Sequence, residues 1–379
     1  MTPPTVTLLA SLDPLVRERA VAAARAGDED LVVIRHELTT LDVDGCVHRV
    51  IERDGGVGDL ALRAGERCCL SCLLREDTEA ALRELPGRRV LLVLPPSVEP
   101  AAVAVALVEA GVAHLHAIAA ALDPHLTEAR MLCPDGIGAL EDLGDDPRSL
   151  AEVLARQLEF ADVVLHDGAE ARSAAIIEAL AGPVPHHHVD DPSWPLAVRH
   201  DHATLLARLQ AGVPRCRSSL RREGVEQRCW HRRRPLHPGR LLVLLEGDGL
   251  AGLLRACGWL WIATRPGTVL ELEAGANSYE LAAVDAWIDA VDDPSPAHPA
   301  RRAQAERRWD PYYGDRAQDL VLTTLDRDLD ELVAALDACL LTDAELATGP
   351  EVWRTWPDPF TPWLGDEAEL LPTTPEDPR

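Results

Sequence analysis

The chain has 379 residues and a formal net charge of −26, set by 63 acidic against 37 basic side chains. That excess of carboxylate opposes nonspecific binding to DNA, RNA or an anionic membrane surface. Every basic residue is arginine, since the sequence holds no lysine, which excludes a G-x-x-x-x-G-K-[ST] phosphate loop and lysine Schiff-base chemistry. Arginine in place of lysine, with abundant alanine and proline, is also what a GC-rich genome produces, so the absence excludes chemistry without selecting any.

The length suggests two domains, each able to bury its own core. No apolar run approaches the roughly 18 residues of a membrane span, and no basic-then-apolar leader opens the chain. A cytoplasmic protein with no membrane partner is expected. Nine cysteines, an odd number and mostly scattered, fit a reducing compartment better than a disulfide framework.

In chain order, Val6 to Ala10 reads as a short buried strand. Asp13 follows as an N-cap, with Pro14 at the first helical position of a helix to about Ala24. Leu31 to Glu37 and Cys46 to Ile51 are strand-like around a turn at Asp42-Val43-Asp44-Gly45. Val90 to Leu94 is a continuous apolar run, typical of a strand covered on both faces. A helix from Pro100 to Ala110, a strand near His114 to Ile118, a helix from Pro147 to Phe160 and a strand at Asp162 to Leu165 complete an α/β pattern. Strands alternating with helices imply parallel pairing through right-handed crossovers.

Residues 183–214 are rich in Pro, His and Asp and read as a linker between an α/β domain at 1–182 and an α+β domain at 215–358. In the second domain, Gln227 to Trp230, Trp259 to Ala263 and Ala317 to Thr324 read as strands. Pro238 to Glu246 and Leu329 to Leu341 read as helices. Residues 292–300 read as an exposed loop, and 359–379 as an acidic, disordered tail.

The densest chemistry is Cys68-Cys69-Leu70-Ser71-Cys72, three thiols in five residues where a loop enters a helix. A helix N-terminus favours thiolate, the form that binds zinc or copper(I). Cys69 and Cys72 form a C-x-x-C pair able to reach one ion, with Cys68 or a distant residue completing the set. The competing reading is small buried side chains at a loop–helix junction. A second feature is an arginine strip from Arg215 to Arg240, nine arginines against Glu223 and Glu226. Arg232, Arg233 and Arg234 at its centre are candidates to meet an acidic partner, against a blander reading as internal neutralisation. His186-His187-His188, with Asp190 and Asp191 close behind, reads as a solvated linker before it reads as a metal site. His114 and His116 share one strand face, and His237 reads as fixing the turn before a helix. No G-x-S-x-G elbow supports a hydrolytic triad.

Several stretches resemble the CobW-like P-loop GTPases, a family that includes zinc-homeostasis proteins and zinc metallochaperones. Cys69 to Asp77 is similar to the family's C-x-C-C loop and following helix, with Ser71 in place of the middle cysteine. Glu99-Pro100, Gln157 to Val164, Arg234 to Leu241, Leu254 to Ala263, Gly314-Asp315-Arg316 and Leu340 to Asp343 match it in the same order. The resemblance implies a parallel-sheet, GTPase-like N-terminal domain, a CobW C-terminal α+β domain, and zinc as the metal. Three departures stand out. Ala10 to Leu15 replaces the Gly-rich phosphate loop, Val93 and Pro96 stand where an acidic residue and glycine belong, and His166-Asp167-Gly168-Ala169 replaces the guanine-reading N-K-x-D. These losses imply a pseudo-GTPase with no nucleotide cofactor and no catalytic residues. A branch of actinobacterial CobW-like proteins shares the losses and a Pro-Asp-Pro-Phe like that at Pro357 to Phe360. That branch is associated with zinc limitation and, in mycobacteria, with recruiting a hibernation factor to ribosomes. The expectation is a non-enzymatic, zinc-responsive adaptor with a protein or ribosomal partner. The alternative is a zinc metallochaperone or store that works without GTP.

Overall fold

The computed structural model describes residues 2–38, 41, 45–53, 56–63, 70–138, 146, 148–215, 219–247, 249, 251–276, 278–365 and 367. The chain divides into two compact units, Met1–Leu205 and Leu206–Arg379.

The strands of the first unit are β1 (Thr5–Ala10), β2 (Val32–Glu37), β3 (Cys46–Arg53), β4 (Gly56–Arg63), β5 (Arg89–Val93), β6 (His114–Ala121), β7 (Val163–His166) and β8 (His186–His188). They form one sheet in the order β4-β3-β2-β5-β1-β6-β7-β8. From β2 to β8 the pairing is parallel, while β3 and β4 add an antiparallel hairpin. The central strands are covered on both faces, as their unbroken apolar runs predict: Leu9, Leu91 and Val93 are buried, and so are Leu8, Leu92 and Ile118 at the alternate positions. The first unit's described helices include α1 (Pro14–Gly27), α2 (Leu70–Arg83), α3 (Pro100–Glu109), α4 (Thr127–Met131), α5 (Leu150–Glu159) and α6 (Ala171–Ala181), and α7 (His202–Leu209) spans the division between the units. Ala20, Val21 and Ala24 of α1 pack against Leu9, Val33, Leu91 and Ala119.

The stretch read as a linker is structured. It contributes the edge strand β8, and Trp194 from a following turn is fully buried against α1, its indole N–H donating to Ala20 O at 3.2 Å. Three histidines with flanking prolines carry little strand propensity, but a three-residue edge strand needs only one ladder. The hairpin strand β4 is a further element the sequence reading lacks. Its residues are almost all exposed, so no apolar alternation marks it.

The second unit holds β9 (Leu220–Arg222), β10 (Val225–Arg232), β11 (Leu253–Leu260), β12 (Thr268–Gly275), β13 (Ser278–Ala286) and β14 (Gln318–Leu325), in the antiparallel order β13-β12-β11-β14-β10-β9. Its helices include α8 (Pro238–Glu246), α9 (Pro299–Arg307), α10 (Leu329–Cys339) and α11 (Asp343–Leu346). Leu241 and Leu245 of α8 and Leu332 and Leu336 of α10 pack with Trp230, Leu270 and Leu322. A second cluster joins Trp259, Trp261, Trp287 and Trp353.

Two expectations change here. Residues just past 358 belong to the core and not to a loose tail: Phe360 is fully buried, and buried Arg265 donates to Asp358 at 2.6 Å and to Gly365 O at 2.7 Å. Residues 368–379 lie outside the described residues. Cys229 is disulfide-bonded, an exception to the expectation of reduced, scattered thiols.

Candidate functional site

In open α/β sheets, ligands bind beyond the carboxyl ends of the parallel strands. The loop leaving β1 brings Ser11, Leu12 and Asp13 to that edge, and α1 starts at Pro14. Asp13 has the extended backbone of an N-cap, yet its carboxylate makes no capping bond. It takes both terminal nitrogens of Arg130 on α4 and accepts the Asp123 N–H at 2.9 Å. The Asp13 N–H in turn donates to Ser11 Oγ at 3.0 Å. Asp13 is 7% exposed, so the anion at the positive end of α1 is the protein's own. A phosphate placed there would meet a buried carboxylate, with no glycine in the loop to turn N–H groups toward it.

The loop after β5 is tied down as well. Gln157, buried on α5, donates to Pro96 O at 3.1 Å, and Glu99 lies 3.4 Å from Arg156 and 3.5 Å from Arg148. Pro95 and Pro96 restrict it further.

The thiol segment stands at the start of α2. Cys68 and Cys69 lie outside the described residues, and Cys72 is half-buried in the helix's first turn. Leu74 anchors this turn against buried Leu38 and Val47 beside β2 and on β3. Farther along α2, Asp77 accepts from His36 Nε2 at 2.8 Å and from Arg49 at 2.8 Å, with His36 and Asp77 side chains only 3% and 8% exposed. A carboxylate accepts only, so it is Nε2 of His36 that donates. Cys46, half-buried, opens β3. Sequence reasoning missed that His36 of β2 and Arg49 of β3 reach Asp77 of the thiol helix. No local signal marks these pairs, since His36 stands between Arg35 and Glu37 in the strand.

The arginine strip follows its blander reading. Arg215 bonds Glu271 and Glu273, Arg228 bonds Asp330, Arg232 bonds Asp337, and Arg240 makes a two-pronged pair with Glu345. Arg233 donates to the carbonyls of Gly314, Arg316 and Arg308, and Arg234 to Leu341 O and Asp343. Arg232, Arg233 and Arg234 thus brace their own domain. Arg217 lies outside the described residues, while Arg221 is 82% exposed. His237 caps α8, its Nδ1 accepting the Gly239 N–H at 3.1 Å. His114 is exposed and His116 half-buried at the start of β6.

Residues 225–340, from β10 to the end of α10, match the C-terminal domain of the cobalamin synthesis protein CobW. Over 329 residues the chain is 31% identical to a zinc chaperone of Mycobacterium tuberculosis, covering 80% of each protein. The chain belongs to the CobW-like family. This CobW-like chain is also 26% identical over 246 residues to zinc-regulated GTPase metalloprotein activator 1 of Dictyostelium discoideum, covering 59% of this chain and 50% of that one. Against Zn(II)-bound YjiA GTPase from E. coli it gives a TM-score of 0.37 at 14% identity, covering 90% of this chain and 100% of that one. No helix among the described residues of this CobW-like protein is long and apolar enough to cross a membrane.

Proposed function

We propose that this CobW-like chain works in zinc homeostasis as a non-enzymatic, zinc-responsive adaptor. Zinc is held by Cys68, Cys69 and Cys72, no nucleotide is bound, and the metal state governs the engagement of a protein partner. The observation that carries the non-enzymatic part is Asp13, whose buried carboxylate paired with Arg130 fills the anion position at the head of α1. With no lysine in the chain, no compact cation is available to offset a second anion there. Zinc is supported by Cys72 in the first turn of α2 and by the names of the relatives, a zinc chaperone and a zinc-regulated GTPase metalloprotein activator.

The partner class we assign is a ribosome-associated hibernation factor engaged under zinc limitation, by resemblance to the actinobacterial branch. Arg232, Arg233 and Arg234 lend this little support, because internal acceptors hold them. The second reading, a zinc metallochaperone or store without GTP control, is favoured by the name of the mycobacterial relative. Thermal shift with zinc and, separately, with Mg–GTP and Mg–GDP tests the proposal. Zinc is expected to raise Tm of the reduced protein and nucleotide to leave it unchanged. A nucleotide-dependent rise would overturn the non-enzymatic reading.

A further inference from the structure

The carboxyl ends of β7 and β8, away from the thiol helix, gather a second set of metal-competent side chains. The strand register sets His166 opposite His188. His186 precedes His188 by two residues, so all three imidazoles share one sheet face. His187 points to the other face and pairs with Asp191 at 3.1 Å. His166 Nδ1 accepts the Gly168 N–H at 2.9 Å, and its Nε2 lies 3.0 Å from His186 Nδ1. Since a neutral imidazole carries one proton, Nε2 of His166 is the donor. These two bonds, with Gly168 at φ +107°, fix the turn that carries Asp167.

Asp167, His188 and Asp190 each place one ligand-type atom within 4.8 Å of the others. His188 turns Nε2 toward Asp167 Oδ1 at 3.9 Å and Nδ1 toward Asp190, whose Oδ2 is 3.8 Å away and whose N–H donates to Nδ1 at 3.3 Å. Donors about 2.0–2.2 Å from one tetrahedral ion stand about 3.3–3.6 Å apart. One His188 nitrogen therefore serves the ion, the long Asp190 N–H bond to Nδ1 gives way, and the exposed carboxylates close in from within 4.8 Å. A cation already sits between the two carboxylates. Arg19 of α1 donates Nε to Asp190 at 3.0 Å and its terminal nitrogens to Asp190 and Asp167. The Arg19, Asp167, Asp190 and His188 side chains are 40%, 45%, 51% and 56% exposed. These pairs are therefore solvent-screened and readily exchanged.

We propose that Asp167, His188 and Asp190 form a second metal site, distinct from the thiols, which binds a divalent ion of the zinc class by displacing Arg19. One imidazole with two carboxylates suits zinc better than magnesium or calcium, which take oxygen donors. Three protein ligands leave a coordination position open, as a site that passes metal on requires. The choice of metal, though not the site, rests on the zinc reading above.

The test uses the full chain with Cys68→Ser, Cys69→Ser and Cys72→Ser, titrated with Zn(II) against a chromophoric competitor and with Co(II) by its visible absorption. This triple-serine parent, which keeps the six other cysteines, is expected to bind one equivalent without a thiolate-to-cobalt band. Arg19→Gln should tighten binding at least tenfold. His188→Gln and Asp167→Asn should each weaken it at least tenfold, with circular dichroism unchanged. No binding by either the parent or its Arg19→Gln variant would overturn the site, as would binding indifferent to His188→Gln. A failure to tighten on Arg19→Gln would overturn the exchange. Comparing the triple-serine parent with the unmodified chain reports on Cys68, Cys69 and Cys72 separately, so either claim can fail alone.

Discussion

Asp13 and Arg130 stand 117 residues apart in sequence and meet as a two-pronged ion pair at the head of α1. The pair joins the loop after β1 to α4 through side chains 10% and 17% exposed. Removing one partner strands the other's charge in a poorly solvated place. Arg130→Ala and Asp13→Ala should each cost about 3 kcal/mol in urea unfolding, and the double variant should cost clearly less than their sum. A loss for Arg130→Ala within about 0.5 kcal/mol, the range of an ordinary surface change, would show that the pair does not hold this edge.

The hold of β2 and β3 on the thiol helix makes a second point. Asp77 is the shared acceptor of buried His36 and of Arg49. Asp77→Ala leaves both donors without it and should destabilise the chain by about 3 kcal/mol. Asp77→Asn keeps the shape and one acceptor oxygen, so its loss should be smaller. Chemical denaturation of both variants checks the order.

Several arginines of the strip, from Arg215 to Arg240, belong to ion-pair networks within the chain. Arg255 and Glu273 side chains are 3% and 5% exposed, and Arg215 bonds Glu273 at 2.9 Å. Glu273→Ala should cost about 3 kcal/mol by removing the acceptor that buried Arg255 shares with Arg215, which keeps Glu271. Arg221→Ala, far out in solvent, should stay within about 0.5 kcal/mol. Equal effects in thermal or chemical unfolding would refute the network.

Glu345 gives a pH signature. The Arg240 guanidinium, then the Thr342 backbone and hydroxyl donors, hold its carboxyl down to about 2. A carboxyl lowered in the folded state contributes stability above its unfolded value near 4.5, and that contribution is lost as pH falls toward 2. The gap in stability between the unmodified chain and Glu345→Gln should therefore be constant from pH 7 to about 5 and close below it. Side chains about a third exposed keep the gap under about 1 kcal/mol. A gap that widened on acidification would contradict the assignment.

The parts of the fold legible in sequence were those with local signals. Continuous apolar runs marked β1 and β5, Pro14 after Asp13 marked the start of α1, and His237-Pro238 marked α8. Among the elements missed, several draw their stability from neighbours: exposed β4, the histidine strand β8, and the β12–β13 hairpin. At the candidate site, the thiols, the absence of lysine and the glycine-free loop after β1 could be read directly. Asp13 was placed correctly as an N-cap, but its actual partner came from α4. The links from Asp77 to His36 and from Arg19 to Asp167 and Asp190 likewise join residues distant in sequence, which one chain's local pattern cannot reveal.

Equilibrium zinc binding by the reduced full chain, against a chromophoric competitor and with Cys69→Ser/Cys72→Ser alongside, tests the central claim most directly. Run with and without Mg–GTP, it should show one tight site, weakened at least a hundredfold in the double variant and indifferent to nucleotide. Equal zinc affinity in both proteins, or affinity that moves with Mg–GTP, would contradict a nucleotide-free thiol site.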